Sequence, residues 1–163
     1  MSVVLTIDRM QLLRQAMSIL DNGSVFIGIP DKSEKNKRND TPETNSEIAF
    51  TNEFGEPAEN IPARPFLIPG VNNAMEKNEM IMLKGAQEIL SLTGNPLDFV
   101  HNALEAVGLV SARSAQKMID DGLSPDPAPY TLMQRRLKGF MGEKPLLVTG
   151  NLKQSITYIV EDD

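Results

Sequence analysis

Pro57, Pro62 and Pro65 follow directly on Glu53-Phe54-Gly55, and no other short stretch restricts this chain as much. Each proline fixes its own φ and pushes the preceding residue out of the α region, so Ile61 to Leu67 is predicted to be extended and stiff. The residues before them read as a short helix from Thr44 to Phe54. Thr44 and Glu47, three apart, form a capping box, and Gly55 provides a left-handed stop. A stiff segment gives its side chains fixed directions. Arg64, between Ala63 and Pro65, is expected to hold its guanidinium in one geometry, while Phe66 anchors the segment in a core or in a neighbour's pocket. A helix-exit loop pinned by an aromatic ring and a functional loop would share this spacing.

Around this stretch the pattern alternates short strands and helices. Val3 to Ile7 reads as a strand, and Asp8 caps a helix over Arg9 to Asp21 with Met10, Leu13, Met17 and Leu20 at helical spacing. Ser24 to Ile29 alternates Val25, Ile27 and Ile29 against Phe26 and Gly28, a strand stopped by Pro30. Asp31 to Glu47 contains no hydrophobic residue. Residues 31–46 are therefore expected to form a mobile solvated loop, either a plain insertion or one that orders against a partner.

Pro69 to Leu92 reads as a helix broken or bent near its start, with Met75, Met82, Ala86 and Ile89 on one stripe that reads as core or as an adaptable packing surface between subunits. Asn95 as N-cap and Pro96 at the first helical position open a second long helix to Asp121. Its face is Leu97, Val100, Leu104, Val107, Ser111, Ala115 and Met118. Gly108 is a point where it can kink, and its Ser/Ala-rich end invites a neighbouring helix. Gly122 to Pro145, with Pro125, Pro127 and Pro129, is expected to be extended apart from a turn or two around Tyr130 to Lys138. Leu146 to Val148 reads as the start of a strand, Thr149-Gly150 as a turn, and Ser155 to Val160 as a last half-buried strand.

A chain of 163 residues with 40% hydrophobic and 23% charged residues is one domain's worth of globular protein. The expected fold class is α+β: a single domain over 1–163, with a small mixed sheet of three to four strands packed by about four helices, and long extended loops. Sixteen basic and 22 acidic residues leave a net charge of −6, with six Phe, two Tyr and no Trp. That balance argues against stable nucleic-acid binding, which wants a basic footprint and stacking rings. Two basic clusters stand out against it, Lys32 to Arg38 and Arg135, Arg136 and Lys138; each reads as a solvated face or as a phosphate contact.

Chemistry is harder to find. There is no cysteine, which excludes disulfides, thiolate nucleophiles and Cys-based zinc sites. His101 is the single histidine, within a helix and without a histidine partner, and makes a poor metal site. Phosphate-cradling, dinucleotide and nucleophile-elbow motifs do not occur. Asp120-Asp121 and Glu161-Asp162-Asp163 read as solvated carboxylates. No catalytic, metal or cofactor residues are expected, and the chain is not expected to be an enzyme. The first residues carry no basic, apolar leader pattern and no window approaches 18 apolar residues, so no membrane contact and assembly in the cytoplasm are expected.

The helix ending in Glu53-Phe54-Gly55, followed by Ile61-Pro62-Ala63-Arg64-Pro65-Phe66-Leu67, resembles the bacteriophage tail-completion, neck or head–tail joining morphogenesis proteins. Pro145-Leu146, Thr149-Gly150-Asn151-Leu152 and Ser155-Ile156 resemble that family's closing signature. Thr131, Lys138 and Gly139 approximate a third element. The matched positions cover roughly a quarter of the chain. The resemblance implies a structural virion protein of the neck, forming a homo-oligomeric ring, hexameric or else dodecameric, between the tail tube or tail terminator and the head connector or adaptor. DNA would pass through without stable binding. A subunit or partner contact would then fall on Phe54, Gly55, Arg64, Pro65, Phe66, Thr149, Gly150, Leu152, Ser155 and Ile156. A nucleic-acid-binding or packaging accessory and a minor capsid or virion-associated assembly factor are the other readings.

Overall fold

The computed structural model describes residues 9–38, 42–91 and 93–161. The strand expected at Val3 to Ile7 and its helix cap Asp8 lie outside those residues. Along the chain run α1 (Arg9–Asn22), β1 (Ser24–Gly28), α2 (Asn45–Phe54), α3 (Leu67–Leu90), α4 (Pro96–Asp121), α5 (Pro129–Leu137), α6 (Asn151–Ser155) and β2 (Thr157–Glu161). The protein is thus mixed helix and strand. Among the described residues the sheet has two strands where three to four were expected, and six α-helices where about four were expected.

One strand was lost for a local reason. Leu146 takes φ 60, a left-handed conformation that a strand cannot contain, and the turn falls at Pro145–Leu146. The last strand also starts later than read, because Asn151 to Ser155 coils into the one-turn α6 before β2 begins.

The β1–β2 pair is antiparallel, with Val25 opposite Val160 and Ile27 opposite Tyr158. Alternation puts those pairs inward, while Phe26 and Ile159, also direct partners, face outward at 54% and 46% exposure. The inner face rests on α4. That helix joins two cores, one containing Val100 and Leu104 with Ala16 and Ile89, the other Ala112, Ala115 and Ile119 with Phe66, Leu152 and Ile156.

α3 and α4 form an antiparallel hairpin of small residues. A Cβ on Gly70 would lie 2.5 Å from Ala115 Cα, and one on Gly85 2.8 Å from Ala103 Cβ. The close approach expected of the Ser/Ala-rich helix end is therefore made within the chain. Gly108 does not break α4; it leaves room for the Tyr158 ring, whose Cδ2 would sit 2.3 Å from an added Cβ. The Tyr158 hydroxyl donates to Glu105 at 2.6 Å.

Of the stretch without apolar residues, 39–41 lie outside the described residues; in the rest, two asparagines are buried by polar pairing. A 3-10 turn at Glu34–Asn36 is capped by Ser33. Asn36 and Asn45 are 2% and 1% exposed. Asn36 Nδ2 donates to the Asp31 carbonyl and to Ser46 Oγ, its Oδ1 accepts the Ser46 amide, and Asn45 Nδ2 donates to the Lys35 carbonyl at 2.6 Å. Satisfied amides take the place of a hydrophobic core here.

Candidate functional site

The capping box that opens α2 is present in full, with the Thr44 hydroxyl accepting from the Glu47 amide and the Glu47 carboxylate accepting from the Thr44 amide at 2.8 Å. Gly55 ends the helix at φ 78, and a Cβ there would meet the Ala63 backbone nitrogen at 2.8 Å. The chain doubles back through a Glu56–Ile61 bridge and runs without regular secondary structure to Phe66. The helix expected from Pro69 begins earlier, at Leu67.

Glu53 explains the earlier start. Its carboxylate, 7% exposed, accepts the amides of Phe66 and Leu67 on Oε2 at 2.8 and 2.9 Å and of Ile68 on Oε1 at 2.9 Å. These are the first amides of α3, whose own N-cap residue, Phe66, offers no side-chain cap. A carboxylate on the positive end of a helix dipole, accepting amides that lack an intrahelical partner, fixes α2 against α3. The sequence reading named Glu53 only as part of its motif.

The two matched motifs meet here. Phe66, 1% exposed, shares a core cluster with Ala49, Leu152 and Ile156, and Ser155 beside them donates to the Leu152 carbonyl at 2.7 Å. Arg64 crosses to a third segment, its Nε donating to the Pro125 carbonyl at 2.7 Å and its Nη2 to the Asp126 carbonyl at 3.2 Å. Gly150, at φ 77, opens α6, and the Thr149 hydroxyl accepts the Asn151 amide at 3.3 Å. Phe66, Leu152, Ser155 and Ile156 are therefore interior. Phe54, Pro65 and Thr149 are on the surface.

Phe54 pairs with Phe50, their ring centroids 4.9 Å apart at 53°, and both are more than half exposed. With Ile29, Phe66, Ile68 and Ile156 they line an apolar groove of about 210 Å³. From its rim a seam runs along the outer side of α3. Ile68, Met75, Leu83 and Leu90 recur seven or eight residues apart, and so share one narrow arc of the helix, at 51–68% exposure. Of the α3 stripe, Met75 is 54% exposed while Met82 packs against a core and Ile89 is buried in it; off the stripe, Met10, Met17 and Met80 are each 58% exposed.

The basic clusters behave differently from a pair of solvated faces. Lys35, Lys37 and Arg38 from the first and Arg135 and Lys138 from the second line one cleft of about 770 Å³ together with Thr149 and Asn151. Arg136 instead pairs with Glu143 at 2.8 Å. Asp120, read as a solvated carboxylate, is paired with Lys153 at 2.6 Å. His101 lies 3.9 Å from Glu105, and among the described residues no group of three or more His, Asp or Glu is placed to hold a metal ion. No helix among them is long and apolar enough to cross a membrane.

No protein-family model, curated protein or solved structure matches this chain.

Proposed function

We propose that the chain is a structural protein of a tailed-phage neck, acting as a homo-oligomeric ring that completes the tail and joins it to the head. Its work is geometric. A heterologous interface repeated around an axis closes a ring and presents one face to the head connector and the other to the tail tube, without turnover.

The observation that carries the oligomer is the outer seam of α3. A 24-residue helix that already buries Gly70, Ala74, Gly85 and Ile89 against α4 has no need of a second apolar arc. Left in water, Ile68, Met75, Leu83 and Leu90 place apolar side chains along one arc, with the exposed Asn72 and Glu79 between them, and with the adjoining Phe50–Phe54 groove they form a surface of the sort that marks contact between proteins. Exposed methionines adapt to a partner's contour. The phage assignment rests on the two separated sequence signatures, which pack into one junction through Phe66, Leu152 and Ile156.

The test is the mass of the purified protein by light scattering, followed by negative-stain imaging with tail tubes. A ring, or a monomer that becomes a ring on one tube end, supports the reading. Leu83→Glu with Leu90→Glu should leave a folded monomer that no longer closes. A wild-type monomer that ignores tubes at high concentration rejects it.

A further inference from the structure

The cleft between the 3-10 turn, α5 and the segment before α6 gathers positive charge from opposite parts of the chain. Five cations, Lys35, Lys37, Arg38, Arg135 and Lys138, line it, and among the described residues no carboxylate does. In a chain with net charge −6 that is a local reversal of sign.

The cations are held in different ways. Arg135 Nη1 donates to the carbonyls of Gly142 and Lys144 at 3.4 and 2.9 Å, which fixes the guanidinium without neutralising it. Burial, and to a lesser degree the charge of Arg64, hold Arg135 below its ordinary pKa. Arg38 donates to Asn45 Oδ1 at 3.1 Å, so its direction is tied to a buried asparagine. The Lys35 and Lys138 ammonium groups have no partner among the described residues. Lys37 pairs with Glu34 at the surface. Phe140, 38% exposed, completes the lining.

We propose that this cleft binds the phosphodiester backbone of a nucleic acid. Fixed guanidinium groups suit phosphate oxygens, and mobile ammonium groups add charge beside them. A phosphodiester brings acceptors only, with one charge per unit. Phe140 gives an unpaired base a ring to stack on. The contact is one patch on an acidic molecule, and it weakens as salt rises. It is independent of the ring reading, since a monomer has the whole cleft.

Fluorescence anisotropy of the full chain with a labelled oligo-dT strand and a labelled duplex tests it. Binding is expected at low salt, with log K falling against log salt at a slope of about −2 to −4, the release expected from a few phosphates. Lys35→Glu with Lys138→Glu should weaken binding at least about tenfold, while Lys77→Glu with Lys84→Glu on α3 changes net charge equally and should leave it within about twofold. Preference for the strand with a loss in Phe140→Ala identifies single-stranded nucleic acid; equal binding of the duplex with no Phe140 effect identifies its backbone alone. No binding of either at low salt, an equal loss in the two double variants, or tighter binding of labelled poly-glutamate than of both oligonucleotides overturns the proposal.

Discussion

Glu53 Oε2 accepts the amide N–H of Phe66 at 2.8 Å, so the last turn of α2 supplies α3 with the cap its own sequence lacks. Removing that carboxylate leaves the amides of Phe66, Leu67 and Ile68 unpartnered at a largely buried helix end. Glu53→Ala should cost about 2–3 kcal/mol, read by urea unfolding. Glu53→Gln should fall between, because one amide oxygen replaces two carboxylate oxygens and the dipole loses its charge.

Three glycines differ in what a methyl group would meet. Gly70→Ala drives a Cβ into the Ala115 backbone and should destabilise by about 2–3 kcal/mol, since backbone cannot rotate aside. Gly108→Ala meets the Tyr158 ring, which can tilt, and should cost about 1–2 kcal/mol while loosening β2. Gly28→Ala, with nothing within 4 Å, serves as the control and should leave the melting temperature nearly unchanged.

The α2 capping box titrates. Hydrogen bonds from the Thr44 amide and hydroxyl hold the Glu47 carboxyl below its ordinary pKa. A depressed folded value means the contribution is present above the unfolded pKa and disappears as pH falls through the folded one. Thermal unfolding between about pH 6 and pH 2 should therefore show a decline that Glu47→Gln flattens.

At the other end of the scale, the Tyr158 hydroxyl is raised in pKa, chiefly by its bond to Glu105. Its contribution is complete below the unfolded tyrosine value and is lost as pH rises through the folded one. Tyr158→Phe should remove that alkaline loss, followed by the phenolate absorbance of the wild type against circular dichroism of the variant.

Arg64→Ala should free the 61–65 segment from the carbonyls of Pro125 and Asp126, at a cost of about 1–2 kcal/mol. If that segment frames a subunit contact, light scattering will find a folded monomer; unchanged assembly removes Arg64 from the interface.

What could be read from the chain was whatever depends on neighbours in sequence. Thr44 with Glu47, Gly55, and Asn95 with Pro96 marked helix ends correctly, because caps are local hydrogen bonds. Alternation at Val25, Ile27, Tyr158 and Val160 identified the inner face of the sheet. Periodicity failed where it was asked whether a face is covered. Met10 and Met17 share the helical spacing of Leu13 and Leu20, yet Ala16 is the residue α1 buries. The burial of Asn36 and Asn45 was not legible because satisfied amides carry no hydrophobic signal. The role of Glu53 and the meeting of Lys35 with Lys138 depend on long-range folding, for which a single sequence holds no spacing rule.

The β1–β2 pairing joins opposite ends of the described chain, whereas α3 and α4 meet through a short turn. A hairpin of adjacent helices closes a small loop, and the strands close nearly the whole chain, so their ordering entropy is set against a far longer search. The helical pair should therefore nucleate folding and the strands zip last. Their amides should also be among the first to exchange with solvent when the native protein opens.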